Sequence, residues 1–272
     1  MDYFELNNGV KVPALGFGTY QIPASITEKN VANAISLGYR SIDTAQNYGN
    51  EAEVGAAVNS SEISRDQFFI TSKTQTSGYR STLRGIDESL SESKLDYLDL
   101  MIIHWPTIDN SGTFKALEKA YKAGKLRAIG VSNFNSSKLQ NLIDNSEIKP
   151  MVDQIETHIY WQQKKMHEFL KENGILHESW APLGEGMSPV LNDPGLIQIA
   201  SKHNKSTAQI ILRFQTQQNI MVIPKSTNPR HIADNLNIFD FKLSDDEIKI
   251  IQDLDQGHSE INWPASMVQE AY

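Results

Sequence analysis

Leu98-Asp-Leu-Met-Ile-Ile-His104-Trp-Pro106 is an apolar run broken only at Asp99, and it closes on an imidazole and an indole. A helical pattern follows it to a glycine stop at Gly124, and a second β-like run begins at Ala128. Working outward, the same alternation recurs along the whole chain. Apolar runs lie at Ala14–Phe17, Tyr39–Ile42, Phe68–Thr71, Leu98–Ile103, Ala128–Val131, Met151–Ile155, Ile175–Trp180 and Ile220–Ile223, with helical segments between them. Gly38, Gly124 and Gly174 are placed as C-terminal stops. Ser206-Thr-Ala-Gln209 and Ser244-Asp-Asp-Glu247 have capping-box spacing. Eight strand–helix alternations predict an α/β chain folded as a closed parallel (β/α)8 barrel. The length of 272 residues suits one such domain over residues 1–272, since barrels run to about 250 residues.

A doubly wound nucleotide-binding sheet is the competing reading. It would carry a glycine-rich turn opening a helix after the first strand. Gly16-Phe17-Gly18-Thr19 lacks the third glycine and opens no helical pattern, so that reading fails. Two segments stand outside the repeat. Phe4–Val12 reads as a hairpin with Asn8-Gly9 as its turn, suited to plugging the barrel bottom. Residues Pro182–Pro194 read as a long loop after the seventh strand, on the face where barrel loops carry function.

Composition narrows the function classes. Hydrophobic residues make up 39% and charged residues 21%, enough apolar material for a sizeable core. The net charge of −8 argues against nucleic acid as a partner, which needs a basic face. Cysteine is absent, which removes disulfides, thiolate nucleophiles and zinc–sulfur sites and suits a reducing cytoplasm. The segment Met1–Glu5 has no basic or apolar leader pattern, and no apolar run reaches the ~18 residues of a membrane span. The expectation is a cytoplasmic protein with no membrane partner, acting as a monomer.

Barrel chemistry gathers where strands end, so polar residues closing the apolar runs matter most. The second run leads to Asp43 and Tyr48, the third to Lys73 and the fourth to His104. Each also has an ordinary structural reading. Asp43 fits a helix cap, Tyr48 a half-buried loop tyrosine, Lys73 a solvated strand-end charge, and His104 a satisfied core histidine. Their coincidence on three successive strand ends points to chemistry. A phenol with a pKa of about 10 is a weak acid at neutral pH, and a neighbouring ammonium lowers that value by favouring the phenolate. Asp43 would hold Lys73 charged, while neutral His104 would donate to a substrate carbonyl and polarise it. The set suits carbonyl reduction by hydride transfer. No His-x-His or paired-carboxylate pattern supports a metal hydrolase.

From the hairpin to the C-terminal tail, the chain resembles the aldo-keto reductase family. The resemblance is carried by Gly16-Phe-Gly-Thr19, Asp43-Thr-Ala-Gln-Asn-Tyr48-Gly-Asn-Glu51, Lys73, Leu98–Pro106, Gly130-Val-Ser-Asn-Phe134 and Ile223-Pro-Lys-Ser226. Within the family it is most similar to the bacterial branch named for diketogluconate reductase, prostaglandin F synthase and methylglyoxal-reducing enzymes. The resemblance implies a catalytic tetrad of Asp43, Tyr48, Lys73 and His104, with Tyr48 as proton donor. It also implies NADPH lying extended across the barrel mouth and a C-terminal tail over that mouth.

The cofactor contacts it implies begin at Gly18, Thr19 and Asp43. Ser132, Asn133 and Gln154 would meet the carboxamide, and Trp180 would stack on the nicotinamide. Pro182, Leu183 and Gly184 would fold over the pyrophosphate, with the loop continuing to Gly186. Lys225, Ser226, Thr227 and Arg230 would hold the 2′-phosphate, and Asp234 and Asn235 the adenine. Asp234 stands where relatives commonly carry Glu. Substrate would be walled by Tyr20, Tyr48, His104, Trp105 and Trp263 of the tail. Tyr20 replaces a Trp frequent in relatives, and Glu156-Thr-His158-Ile departs from a common His-Pro sequence. Expected substrates are dicarbonyls, aromatic aldehydes and keto-sugars. The alternative is a non-catalytic NADPH-binding regulatory protein on the same fold, which a test aldehyde and NADPH would separate from an enzyme.

Overall fold

A computed structural model describes residues 1–186, 189–259 and 261. Two short antiparallel strands open the chain, β1 (Tyr3–Glu5) and β2 (Lys11–Pro13). The barrel strands follow as β3 (Phe17–Gly18), β4 (Ser41–Asp43), β5 (Phe69–Thr74), β6 (Leu98–Ile103), β7 (Leu126–Ser132), β8 (Val152–Glu156), β9 (Leu176–Trp180) and β10 (Ile220–Val222). Every neighbouring pair from β3 to β10 is parallel and consecutive in order. The ring closes between its ends through a parallel bridge from Leu15 to Val222. There Gly16 N–H donates to Val222 O at 2.8 Å and Val222 N–H to Ala14 O at 3.1 Å. Each expected apolar run thus coincides with a barrel strand or, for Ala14–Phe17, with the closing seam.

Helices α1 (Ala24–Leu37), α2 (Glu51–Asn59), α3 (Tyr79–Ser93), α4 (Asn110–Lys122), α5 (Ser136–Asp144) and α6 (Lys164–Glu172) each follow one strand. Gly38, Gly124 and Gly174 all take positive φ at or just beyond helix ends. After β9 the simple alternation breaks. An extra helix α7 (Pro194–His203) precedes α8 (Thr207–Gln217), and after β10 come α9 (Pro229–Leu236) and α10 (Asp245–Gln252). Asp193 caps α7 through the amides of Gly195 and Leu196, with Pro194 at the first helical position. Leu196, Ile199, Ile210, Ile211, Phe214, Leu243 and Ile251 then bury together as a second core beside the barrel's own. Ser206 and Ser244 make both halves of their capping boxes.

The hairpin lies at the barrel bottom, where Asn7 donates to Pro150 O and Asn8 to Arg127 O, each at 3.0 Å. Its turn differs from the expected Asn8-Gly9 pair. Gly9 N–H closes on Leu6 O at 2.8 Å, so Asn7 and Asn8 are the central residues and Gly9 follows at φ 83. This is a three-residue connection with glycine in the left-handed position, which keeps Asn8 out of positive φ. The segment Pro182–Pro194 is also less open than expected. Gly184–Gly186 and Pro189–Asn192 form short 3-10 turns, and Pro194 already begins α7.

Candidate active site

Side chains alternate along a strand, so β5 sends Ser72 outward and Lys73 inward. Ser72 Oγ donates to Glu51 of α2 at 2.5 Å, while the Lys73 side chain is wholly buried inside the barrel. Asp43 closes β4 beside it, and His104 follows the last residue of β6. A 3-10 turn at Gln46–Tyr48 carries Tyr48 over this floor, and Gly49 ends the turn at φ 65, a conformation that favours glycine. Four residues from three strand ends therefore meet at one opening.

Lys73 Nζ donates in three directions: to Asp43 Oδ1, to Thr44 O at 2.9 Å, and to the Tyr48 hydroxyl at 3.3 Å. The second Asp43 oxygen accepts from Gln154 Nε2 at 3.0 Å. Tyr48 and His104 meet edge to face with ring centroids 5.7 Å apart, and Tyr20 packs on Tyr48 at 5.0 Å. Burial acts against the Lys73 ammonium, yet Asp43 and Tyr48 outweigh it and hold its pKa above the ordinary value. Burial, reinforced by the Lys73 charge, pushes His104 down to about 3, so its imidazole is neutral. Tyr48 is raised to about 12: burial lifts it and the Lys73 ammonium pulls it back only in part. This corrects the expectation of a phenol more acidic than usual. The ammonium works as expected, but desolvation of the phenolate is the larger effect.

One cavity of about 750 Å³ begins at these groups and runs along the barrel mouth. Its walls include Gly18, Tyr20, Asp43, Tyr48, His104 and Trp105 at one end, then Ser132, Asn133, Gln154, Trp180, Pro182 and Leu183. Lys225, Ser226, Arg230, Asp234 and Asn235 line the far end. Lys73, buried behind Asp43 and Tyr48, is not in its wall, and neither are Thr19, Gly184 and Thr227. The Thr19 hydroxyl turns instead onto Asp43 O at 2.9 Å, Gly184 is buried within its 3-10 turn, and Thr227 points to solvent. Trp263 lies outside the described residues.

The middle of the cavity is a closed set of internal bonds. Asn133, at φ 63, donates to His104 O and to Ser132 Oγ, each at 3.0 Å, and accepts from Trp180 Nε1 at 2.8 Å. Ser132 Oγ donates to Gln154 O at 2.7 Å. At the far end, Asn228 caps α9 and Pro229 starts it, which presents Arg230 at the helix N-terminus. The Arg230 side chain is 87% exposed and lies 3.7 Å from Asp234, a loose pair. Together with Lys225 it makes a local cationic end on a chain of net charge −8.

Sequence reasoning passed over several wall residues. Gln21, Asn47, Glu185, Ser206, Thr207, Ala208 and His231 all line the cavity. Gln21 and Asn47 adjoin residues already singled out, and proximity alone would have flagged them. Ser206 is the cap its spacing predicts, and the start of α8 also reaches the cavity wall. Glu178 was also missed. It pairs in register with Gln154 and is fully buried. Its position two residues before Trp180 on the same strand face was the available signal.

Comparison with known proteins agrees with this geometry. A sequence profile of the aldo/keto reductase family matches residues 14–256. The chain is 45% identical to a glyoxal reductase of Bacillus subtilis over 259 residues, covering 94% of this chain and 93% of that one. It is 44% identical to morphine 6-dehydrogenase of Pseudomonas putida over 268 residues, covering 93% and 90%. Among solved structures, an aldo/keto reductase of Brucella melitensis superposes with a TM-score of 0.90 at 42% identity, covering 93% of this chain and 99% of its own. An aldo-keto reductase of Bombyx mori in complex with NADP gives a TM-score of 0.90 at 31% identity, covering 96% and 95%.

Proposed function

The chain belongs to the aldo/keto reductase family of oxidoreductases, and from that premise we propose that it uses NADPH to reduce small aldehydes and ketones. The reading rests on one observation above all. A single cavity joins a phenol, a carboxylate and an imidazole at one end, with the Lys73 ammonium bonded behind them, to two cations, Lys225 and Arg230, at the other. That separation of proton chemistry from anion binding suits an extended dinucleotide whose reactive ring lies at the cluster.

The walls fit such a group. A Cβ at Gly18 would come within 2.8 Å of Ile223 O, so glycine lets β3 pack closely against the segment after β10 that carries Lys225. Trp180 offers a ring face in the middle of the cavity, its indole N–H already tied to Asn133. Lys225, Ser226 and Arg230 would hold the 2′-phosphate by charge-assisted bonds, and Asp234 and Asn235 would meet the adenine. The nicotinamide, when bound, supplies the hydride.

The chain's own residues then manage the proton. Neutral His104 donates to the substrate carbonyl oxygen and sets its angle. Tyr48, protonated at neutral pH, gives its proton to the oxygen as negative charge develops there. Lys73 stabilises the resulting phenolate, and Asp43 keeps Lys73 charged and aimed. Aromatic walls at Tyr20 and Trp105 suit small dicarbonyls and aromatic aldehydes, with keto-sugars as a further class. We take residues 1–272 as one catalytic domain acting as a monomer in the cytoplasm. No described helix is long and apolar enough to cross a membrane. The deciding test is loss of NADPH absorbance on adding methylglyoxal or an aromatic aldehyde to the purified chain. No consumption above the enzyme-free rate with any of a panel of small carbonyls would refute the reading.

A further inference from the structure

Asn50 occupies the N-cap position of α2, where an asparagine ordinarily turns its side-chain oxygen onto the first amides of its own helix. It makes no such bond. The side chain is completely buried and faces the opposite way. Its Nδ2 donates to Thr19 O and Ile22 O, both at 3.1 Å, and its Oδ1 accepts from Thr44 Oγ1 at 2.7 Å. Both amide hydrogens and one acceptor site are used, each by a partner outside the helix.

These partners bracket one tight turn, closed by Ile22 N–H on Thr19 O at 3.0 Å. Its central residues are Tyr20 and Gln21, both in the cavity wall. Gln21 sits at φ 59, a left-handed conformation that a side-chain-bearing residue keeps only when its surroundings impose it. The Tyr20 ring lies 5.0 Å from that of Tyr48, and Tyr48 stands two residues before Asn50. One buried amide therefore ties the wall of the substrate end to the segment carrying the phenol.

We propose that Asn50 is a positioning residue that sets the spacing between Tyr20 and Tyr48, and through it the discrimination of carbonyl substrates by size. The inference rests on the reductase reading above. Its bonds reach the β3–α1 and β4–α2 connections and none of the cations at the far end of the cavity. Loss of the amide should therefore alter KM and substrate preference and leave NADPH binding alone.

Asn50→Asp keeps the acceptor oxygen for Thr44 and removes the donor to the two turn carbonyls. Thr44→Val removes only the 2.7 Å bond and is the milder variant should Asn50→Asp fail to fold. Val54→Ala opens a space in the buried face of α2 without touching the turn, and controls for lost stability alone. The measurements are steady-state kinetics with methylglyoxal and with a bulky aromatic aldehyde, and the NADPH dissociation constant. In Asn50→Asp, KM for methylglyoxal should rise about tenfold, the preference between the two aldehydes should shift at least about fivefold, and NADPH affinity should stay within about twofold. Thr44→Val should move the preference in the same direction by less, and Val54→Ala should leave it in place. An unchanged preference in the Asn50 and Thr44 variants that fold overturns the proposal, as does an equal shift in Val54→Ala. A wild-type chain that reduces neither aldehyde overturns the reductase reading itself and takes this inference with it. A wild-type chain that reduces both, with variants keeping its preference, overturns the role of Asn50 alone.

Discussion

Lys73 Nζ lies 3.3 Å from the Tyr48 hydroxyl, and its other two donors are held by Asp43 and the Thr44 carbonyl. The ammonium is fully buried, so it cannot turn to solvent and its charge acts on the phenol at short range. Burial nevertheless leaves Tyr48 at about 12. The phenol is thus a reserve acid, protonated throughout the physiological range and assisted only when charge appears on the substrate oxygen.

Tyr48→Phe removes the proton donor and leaves the cationic end of the cavity intact. Turnover should fall by at least about a thousandfold, while NADPH binds with near-native affinity by fluorescence titration. Substantial residual turnover in the purified variant would remove Tyr48 from the donor role.

The two shifted groups define a pH profile. Reduction needs Tyr48 protonated and His104 neutral, and with values of about 12 and about 3 both conditions hold across the neutral range. Single-turnover reduction should therefore be flat from about pH 5 to about pH 10, falling only as pH rises toward the phenol's value. Alcohol oxidation needs the phenolate, so its rate should climb about tenfold per pH unit over the same range. In Lys73→Met the phenol loses the charge that lowers its pKa, so its value must rise further. Oxidation at any fixed pH should then be slower, and the reduction plateau lower, because the donor is a weaker acid. Deuterated cofactor reports whether the hydride step is being observed. A wild-type alkaline limb centred near pH 8, or a limb that moves down in Lys73→Met, would contradict this account of Tyr48.

Lys225 and Arg230 are exposed cations whose proposed partner is a phosphate. A charge-assisted hydrogen bond contributes about 1.5–3 kcal/mol, so each alanine substitution should weaken NADPH binding about 10- to 150-fold. NADH binding should change far less. Equal weakening of both dinucleotides would assign these residues to the pyrophosphate or to folding.

Glu178 gives a stability prediction. Burial, helped by the Asp43 charge, raises its pKa to about 8 from the ordinary 4.5. Between those values the folded chain holds a proton that the unfolded chain has released, so stability falls as pH rises through that window. Glu178→Gln cannot ionise and escapes that loss. Its Tm should exceed that of the wild type by at least about 3 °C at pH 8, with the difference shrinking toward pH 5. A Tm difference independent of pH would show that Glu178 is not held protonated.

Much of this protein is legible in its sequence, because local patterns encode local events. Strand runs, the glycine helix ends and both capping boxes report backbone choices made within a few residues. The positions of Asp43, Tyr48, Lys73 and His104 at strand ends follow from alternation once eight parallel strands are assumed. The hairpin turn was misread for the same reason: Asn8-Gly9 suits a two-residue turn locally, but the bonds of Asn7 and Asn8 to Pro150 and Arg127 impose another register.

What the sequence determined by itself is the order of the barrel strands and the identity of the chief polar groups at the barrel mouth. What only the tertiary structure decided is how those groups act on one another. Tyr48 became a weaker acid because desolvation depends on everything packed around it, whereas the sequence reveals only that an ammonium is near. Asn133 proved to be bonded to His104 and Trp180, from strands 29 and 47 residues away in the chain. Asn50 abandoned its own helix for a turn 31 residues earlier. Side-chain amides and buried charges respond to through-space distance and dielectric, and neither is a function of spacing along the chain.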